Sequence, residues 1–253
     1  MTWAVVLVVV SLHLWVQFNV YSQEDRSAYR EAGVLEVQQS ADQPELHGPF
    51  DLWSGQWWRI PLGGLHHLNW FHLAVVVSVA IYLGKHLEPQ IHWLTFLLFF
   101  VGALVVTTLP RWQAGDSVPD WFNGAKPITG LSGVLFAEFG VLLFLRQKDR
   151  KLLRNYHEGS VLFGIVMGLA CLAFSTIGAI SGVDNLAHIV GFFYGLIWGI
   201  VLFPSSRWIK GLMVVILVGA HGLLWPVFQQ VIRPVDNGRY HWWLAENSDD
   251  PEF

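Results

Sequence analysis

Gly130-Leu131-Ser132-Gly133 opens one apolar segment of the chain, and Ala187-His188 opens another. Serine and histidine are the usual nucleophile and base of acyl-transfer chemistry. Both residues lie where a membrane-spanning helix would begin, and an ionisable side chain inside a bilayer is costly and usually functional. The pair predicts a protease that works within the membrane, provided that Ser132 and His188 reach the same depth.

The composition is that of a polytopic membrane protein. The chain has 253 residues, of which 53% are hydrophobic and 13% are charged, whereas soluble domains carry about 25% charged residues. Its single cysteine, Cys171, excludes an internal disulfide framework and a multi-cysteine zinc site. Segment 1–20 lacks a basic start and an Ala-x-Ala-type cleavage site, so we expect it to be a retained helix rather than a signal peptide.

Several segments are long and apolar enough to span a bilayer, which takes about 20 mostly apolar residues. They run from Thr2 to Phe18, from Trp70 to Leu87, from Ile91 to Leu109, from Ile128 to Leu145, from Val161 to Ile180, from Leu186 to Phe203 and from Trp208 to Val231. The predicted fold is all-α, with a first transmembrane helix in 1–20, an extracytoplasmic first loop in 21–65, the second to sixth helices in 66–203, an extra helix in 204–232 and an acidic extracytoplasmic tail in 233–253.

The basic residues predict which way these helices run. A basic run from Arg146 to Arg154 follows the fourth span, Lys85 lies at the end of the second, and Arg207 follows the sixth. By the positive-inside rule, these three connections are cytoplasmic. The N-terminus is then cytoplasmic, the C-terminus is outside, and the second, fourth and sixth spans all run inwards.

This topology brings four polar side chains to one level. His67 and His72 lie at the start of the second span, Ser132 at the start of the fourth, and His188 at the start of the sixth. Because a helix rises about 1.5 Å per residue, all four lie within roughly 10 Å of the outer surface. Residues far apart in the sequence therefore share one layer of the predicted structure.

The shared layer holds the groups that acyl transfer needs. His188 is the natural base for the Ser132 hydroxyl, which is a poor nucleophile until its proton is removed. The imidazole of His72 and the backbone N–H of Ser132 are candidate donors to the oxyanion, since first-turn N–H groups have no partner within their helix. Gly133 and Gly191 begin stripes of small residues that let two membrane helices approach closely. The alternatives are that the glycine-flanked serine is only a packing motif and the histidine only a helix–helix hydrogen bond.

The stretch from Gly55 to about Phe203 resembles the rhomboid intramembrane serine proteases. The elements that carry the resemblance are Gly55-Gln56-Trp57-Trp58-Arg59, His67 and His72 with four residues between them, Leu83-Gly84 with Glu88, Gly130-Leu131-Ser132-Gly133 with Ala137 and Gly140, and Ala187-His188 with Gly191 and Gly195. The resemblance implies a rhomboid-like six-helix core followed by a seventh transmembrane helix.

The resemblance also implies the site and its surroundings. Ser132 and His188 would form a dyad without an acidic third member, and neither a cofactor nor a metal would be needed. The implied oxyanion and substrate-binding residues are His67, Asn69, His72, Gly130 and Gly133. The partners would be transmembrane protein substrates and the lipid bilayer, not nucleic acid, and the protein would be a multi-pass protein of a bacterial cytoplasmic membrane.

Two positions depart from the family pattern. Val76 stands where the family usually has an asparagine that donates to the oxyanion. Asn69 precedes His72 by three residues on the same predicted helix face, and we expect it to compensate in part. Glu138 lies two turns into the nucleophile helix, where the family is commonly apolar; it is neutral, paired with another group such as His221, or lining a water path.

Three other functions stay open at this point. A rhomboid-like pseudoprotease that binds membrane helices is favoured by Val76 and opposed by Ser132 and His188. A rhombosortase-like enzyme that trims C-terminal anchors is suggested weakly by His67-Leu68-Asn69-Trp70. A seven-span transporter would typically show internal repeats and broken helices at the midplane, and no repeat stands out in this sequence.

Overall fold

The computed structural model describes residues 1–23, 38–39, 47–48, 55–67, 69–114, 130–148, 164, 166, 185–203, 206, 208–209, 211–212, 214–219 and 222. The elements in chain order are α1 (Thr2–Gln23), β1 (Gln38–Gln39), β2 (His47–Gly48), α2 (Arg59–Gly63), α3 (Trp70–Leu87), a 3-10 turn (Glu88–Gln90), α4 (Trp93–Ala114), α5 (Ser132–Lys148) and α6 (Asn185–Leu202). Apart from the short antiparallel pair formed by β1 and β2, every described element is helical, in agreement with the all-α prediction.

The described helices lie close to the predicted spans, although α1 and α4 each end five residues beyond the predicted boundary. Helix α3 has the bounds of the second predicted span, and α6 is displaced from the sixth by a single residue at each end. The fourth span is predicted to begin at Ile128, but α5 begins at Ser132. Gly130 has a φ of 110°, and an α-helix excludes that backbone conformation.

Parts of the prediction lie outside the described residues. Of the fifth span, only Gly164 and Val166 are described; both are helical, and Gly164 lies against Phe139 of α5. Of the seventh span, the described residues between 208 and 222 are helical, and Leu217 among them is buried in the apolar core. The tail 233–253 lies wholly outside the described residues.

Helices α5 and α6 are parallel and in direct backbone contact. A Cβ atom on Gly191 would overlap the carbonyl oxygen of Gly133, and a Cβ on Gly195 would overlap that of Ala137. The contacts advance along both helices together, so the two helices run in the same direction. The chain must therefore return to its starting level between them.

Helix α3 is parallel to α5, and α1 is antiparallel to α3. His72, near the start of α3, lies against Gly130, which directly precedes α5. At the other end of α3, Thr2 donates its backbone N–H and its hydroxyl to the carboxylate of Glu88, and Gly84 leaves room for the Thr2 side chain. The starts of α3, α5 and α6 thus meet at one end of the described bundle, and α1 begins at the other end.

The apolar core lies between α1, α3, α4, α5 and α6. Its largest fully buried apolar side chains are Ile60, Leu87, Phe96, Phe99, Leu131, Leu142 and Leu145. Large apolar side chains also cover the outward faces, where Phe71 of α3 is 79% exposed and Phe193 of α6 is 58% exposed. Helices that are apolar on every face are typical of membrane spans.

Two of the described helices are long and apolar enough to cross a membrane, Trp70–Gln90 and Asn185–Leu202. Two shorter apolar helical stretches are Thr2–Phe18 and Trp93–Thr108. These helices agree in position with four of the predicted spans.

Candidate active site

Ser132 and His188 meet where α5 and α6 begin. Ser132 is the first residue of α5, and His188 lies in the first turn of α6. The hydroxyl oxygen of Ser132 is 2.9 Å from Nε2 of His188, which is hydrogen-bonding distance. His188 is buried, and Ser132 is partly exposed. The structure therefore joins the two residues that the sequence analysis selected from separate segments.

The approach of α5 and α6 depends on small residues directly below this pair. Gly191 lies three residues after His188 and packs on the backbone of Gly133, which follows Ser132. The next contact along the two helices is made by Gly195. Side chains at these positions would force the helices apart and lengthen the distance between the hydroxyl and the imidazole. The small-residue stripes thus set the geometry of the pair.

The ring of His188 is held in place by an aromatic neighbour that the sequence analysis missed. Phe136, one turn after Ser132, stacks on the imidazole with ring centroids 4.4 Å apart and an interplanar angle of 21°. Helical spacing puts Phe136 on the same face of α5 as Ser132, so the i, i+4 relation was the available signal. Nδ1 of His188 is buried and has no hydrogen-bond partner among the described residues.

His72 faces the same point from α3. A Cβ atom on Gly130 would lie 2.8 Å from Cε1 of His72, 3.3 Å from its Nε2 and 3.8 Å from the Ser132 hydroxyl oxygen. The imidazole of His72, the backbone at Gly130 and the serine hydroxyl therefore converge. Two features favour glycine at position 130. Its φ of 110° is in the left-handed region, and a side chain there would overlap the imidazole of His72.

Asn69 has a different place from the one that helical spacing predicts. Its backbone is extended, with φ −158° and ψ 169°, and it is the N-cap of α3. Its side-chain oxygen accepts a hydrogen bond from the backbone N–H of His72 at 2.8 Å. The sequence analysis placed Asn69 within the helix, on the same face as His72, whereas in the structure residue 69 directly precedes the helix as its cap. Val76 itself is buried in the apolar core.

His67 lies between α2 and α3, next to His72. The two imidazole centroids are 5.1 Å apart, and Nδ1 of His67 is 3.1 Å from the carbonyl oxygen of Leu65. His67 therefore contacts His72.

Two polar residues of the segment that leads into α3 are buried. Arg59 is 5% exposed; its Nε donates to the side-chain oxygen of Gln56 at 2.7 Å, and its guanidinium lies 4.8 Å from the centre of the Trp58 ring. His66 is 2% exposed. The Arg59 contacts join residues 56, 58 and 59 within this segment.

Glu138 is buried in α5, and Oε2 has no hydrogen-bond partner within the described part of the chain. It lies six residues after Ser132, so it is about 9 Å further along the helix and does not touch the serine. His221, which the sequence suggested as a partner, lies outside the described residues. No group of three or more His, Cys, Asp or Glu side chains in the described ranges is arranged to hold a metal ion.

Comparison with known proteins assigns most of this chain to one family model. Residues 54–205 match the model described as Rhomboid domain. The Rhomboid protease GlpG of Haemophilus influenzae is 30% identical over 149 residues, which cover 57% of this chain and 69% of that protein. The Rhomboid protease GluP of Bacillus subtilis is 26% identical over 141 residues, which cover 56% of this chain and 25% of that protein. The matched region contains α2 to α6 and every candidate site residue described above.

Proposed function

The chain belongs to the rhomboid family, and from this premise we propose that it is an intramembrane serine endopeptidase that cleaves transmembrane proteins near the outer face of the membrane. The observation that carries the proposal is the 2.9 Å distance between the Ser132 hydroxyl and Nε2 of His188. The relatives named as proteases support a hydrolase. The short distance supports the assignment of Ser132 as the nucleophile and His188 as its base.

In the first half of the reaction, the Ser132 hydroxyl oxygen attacks the carbonyl carbon of the substrate while its proton passes to Nε2 of His188. The carbonyl electron pair moves to oxygen, and the resulting oxyanion accepts hydrogen bonds from Nε2–H of His72 and from the backbone N–H of Ser132. When the oxyanion collapses, the C–N bond breaks and His188 gives its proton to the leaving amine. The acyl group remains on Ser132 as an ester.

In the second half, water replaces the amine. His188 takes a proton from the water, whose oxygen attacks the ester carbon and forms a second oxyanion at the same position. Collapse breaks the bond to Ser132, the proton on Nε2 returns to the serine oxygen, and a carboxylic acid leaves. No external oxidant, reductant or cofactor is required for this sequence.

The substrate must present an unfolded backbone to this site. A peptide bond inside a helix is shielded, and its N–H and C=O groups are already hydrogen-bonded. The substrates we propose are therefore transmembrane segments that unwind near their outer ends. The remaining parts of the proposal are a multi-pass location in a bacterial cytoplasmic membrane and a cytoplasmic N-terminus.

A pseudoprotease that binds membrane helices without cleaving them is the second candidate, and one observation favours it. Val76 occupies the position of the usual oxyanion donor, and its apolar side chain is buried in the core. Loss of one such donor typically lowers kcat by about 10²–10³. A slow enzyme still cleaves, so a direct measurement of turnover separates the two candidates.

The test combines a fluorophosphonate probe for reactive serines with cleavage of a model transmembrane substrate. Ser132→Ala and His188→Ala are expected to abolish cleavage, and the double variant is expected to be no worse than either single variant, because the pair acts as a unit. Ser78→Ala is the matched serine control, since Ser78 is exposed and donates to the backbone oxygen of Ala74 within α3. His92→Ala is the matched histidine control, since His92 is exposed at the start of α4.

Probe labelling at Ser132 with cleavage by the unmodified protein, lost in both site variants and kept in both controls, would support the proposal. Full activity in either Ser132→Ala or His188→Ala would overturn the assignment. A folded, unmodified protein that neither labels nor cleaves any substrate, while binding transmembrane helices, would favour the pseudoprotease.

A further inference from the structure

Three histidines at the end of the bundle where α3, α5 and α6 begin each have one nitrogen without a partner among the described residues. They are His13 of α1, His67 before α3 and His72 of α3. Nε2 of His13, Nε2 of His67 and Nδ1 of His72 are all buried and lack a hydrogen-bond partner among the described residues. Buried polar atoms are nearly always hydrogen-bonded in proteins, either to protein or to ordered water. The proposed mechanism uses only the other nitrogen of His72, so these three atoms need a separate explanation.

The proton on His67 has a defined position. Nδ1 lies 3.1 Å from the carbonyl oxygen of Leu65. A carbonyl oxygen can only accept a hydrogen bond, so Nδ1 carries the proton. In a neutral imidazole the second nitrogen is then an acceptor. Nε2 of His67 is therefore a buried acceptor that needs a donor.

The proposed mechanism requires the other tautomer of His72, with the proton on Nε2. A Cβ atom on Gly130 would lie 3.3 Å from Nε2 of His72 and 3.8 Å from the Ser132 hydroxyl oxygen, so donation to an oxyanion at this point requires the proton on Nε2. Nδ1 of His72 is then a buried acceptor as well. If the proton moved to Nδ1, the nitrogen facing Ser132 could no longer donate. The tautomer of His72 thus decides whether the oxyanion site has its side-chain donor.

Two acceptors on neighbouring rings cannot bond to each other, but one water can donate to both. The imidazole centroids of His67 and His72 are 5.1 Å apart, and their planes are inclined by 57°. A buried water is stable where it has two to four polar partners, typically about three. A water that donates to both nitrogens leaves the His72 proton on Nε2.

His13 holds the residues on both sides of this gap. It is 2% exposed, its ring is hydrogen-bonded to the backbone of His67, and it packs edge-on against Trp70 with ring centroids 4.6 Å apart and an angle of 86°. Trp70 is the first residue of α3, which carries His72. One side chain of α1 therefore fixes the spacing between the His67 segment and the start of α3.

We infer that a single bound water donates to Nε2 of His67 and Nδ1 of His72, and that His13 is the positioning residue that maintains this water site and so keeps the His72 proton on Nε2. The catalytic consequence rests on the proposed function. Because Val76 supplies no donor, this enzyme depends on the His72 donor more than a relative with asparagine at that position would.

The direct test is the tautomer of His72, measured by ¹⁵N NMR on histidine-labelled full-length protein in detergent micelles. The His72 signals are assigned by their loss in His72→Gln. The unmodified protein is expected to carry the His72 proton on Nε2, and His13→Phe, which keeps an aromatic ring against Trp70, is expected to raise the Nδ1–H population. His13→Gln retains a hydrogen-bond donor and is expected to restore the original tautomer. His92→Phe is the matched control and is expected to leave the His72 signals unchanged.

Kinetics provide the second readout. His13→Phe is expected to lower kcat about ten- to a hundredfold with KM unchanged, less than the full loss of an oxyanion donor, and His13→Gln is expected to recover most of it. A His72 proton on Nδ1 in the unmodified protein, or an identical tautomer in the unmodified protein and His13→Phe, would overturn the inference. The NMR result does not require cleavage, so the expected tautomer shift in a protein that never cleaves would refute the proposed function and leave the water site standing.

Discussion

At position 76, the proposed chemistry favours a hydrogen-bond donor, whereas packing in the core favours an apolar side chain such as that of Val76. Val76 lies one turn after His72 on α3 and is 3% exposed within the apolar core. Valine packs well there but cannot donate a hydrogen bond to an oxyanion. An asparagine would supply a donor, yet its amide would be buried and would cost stability unless it found a partner.

We predict that Val76→Asn raises kcat severalfold or more without changing KM. The physical reason is that one oxyanion donor contributes about 2.7–4 kcal/mol to transition-state stabilisation, and part of this is offset by imperfect geometry in a site built around valine. Steady-state cleavage of a model substrate measures the effect. Val76→Ala is the control, since it removes packing without adding a donor, and it should not raise kcat. An unchanged kcat in folded Val76→Asn would mean that His72 and the Ser132 backbone suffice.

Asn69 acts on the same site through the backbone. Its side chain caps α3 at the N–H of His72, and loss of such a cap typically costs about 0.5–2 kcal/mol. Asn69→Ala should therefore lower both the thermal stability and kcat. We expect kcat to fall by the same factor whether residue 76 is valine or asparagine. Asn69→Asp keeps an N-cap and should be close to silent. A loss of kcat in Asn69→Ala that disappears in the Val76→Asn background would instead indicate direct donation by Asn69.

At the scale of single residues, the type and depth of the site side chains were predictable, but their partners were not. Ser132 and His188 could be selected because helix rise and charge asymmetry place them at one level. Whether Phe136 stacks on His188, or His13 on Trp70, depends on how each helix is rotated about its axis. That rotation is set by packing between helices distant in the sequence, and apolar residues on every face leave no periodic signal for it.

Among the helices, the contact between α5 and α6 carries the geometry of the site. Their backbones touch where Gly191 and Gly195 lie against the carbonyl oxygens of Gly133 and Ala137. Sequence alone predicted close approach from the spacing of small residues and a common direction from the arrangement of charges, and in the structure the two helices are parallel and in contact. The start of α5 was less predictable. The apolar run begins at Ile128, but the φ of Gly130 is incompatible with an α-helix, so the helix begins only at Ser132.

We predict that Gly191→Ala lowers cleavage on the order of a hundredfold, because a displacement of about 1 Å in an active site can have that effect. The added methyl group would overlap the carbonyl oxygen of Gly133, one turn from His188, and overpacking of this kind typically costs about 1–3 kcal/mol of stability. Gly219→Ala is the matched control, since an added Cβ there meets nothing within 4 Å among the described residues. Cleavage assays and thermal unfolding of both variants check the prediction. Equal activity in the two variants would contradict a role for the glycine contact in setting the Ser132–His188 distance.

For the molecule as a whole, the arrangement of helix directions links fold to function. Helices α3, α5 and α6 begin at the same end, where His72, Ser132 and His188 converge. Helix α1 runs the opposite way and is held at its start by Thr2 on Glu88 and near its middle by His13 on Trp70. Three parallel helices place these polar side chains at one end of the described bundle without any local motif that joins them.

Which side of the membrane that level faces is a separate question, on which the basic residues support a prediction. Helix α5 has 17 residues and is thus about 25 Å long, so we expect its two ends near opposite faces of a bilayer. The run Arg146, Lys148, Arg150, Lys151 and Arg154 begins in the last turn of α5 and continues after it in the sequence. Positive charges of this density in a short connection are retained in the cytoplasm.

We therefore predict that, in a variant whose native thiol is removed by Cys171→Ala, Gln147→Cys reacts with a membrane-impermeant thiol reagent only after intact cells are permeabilised. Ser117→Cys, in the connection before α5, is expected to react in intact cells. Retained cleavage activity in both variants controls for correct folding. The reverse labelling pattern would place Ser132 and His188 near the cytoplasmic face. Substrates would then have to unwind at their inner ends, and the proposed site of cleavage would be wrong even if the dyad itself were correct.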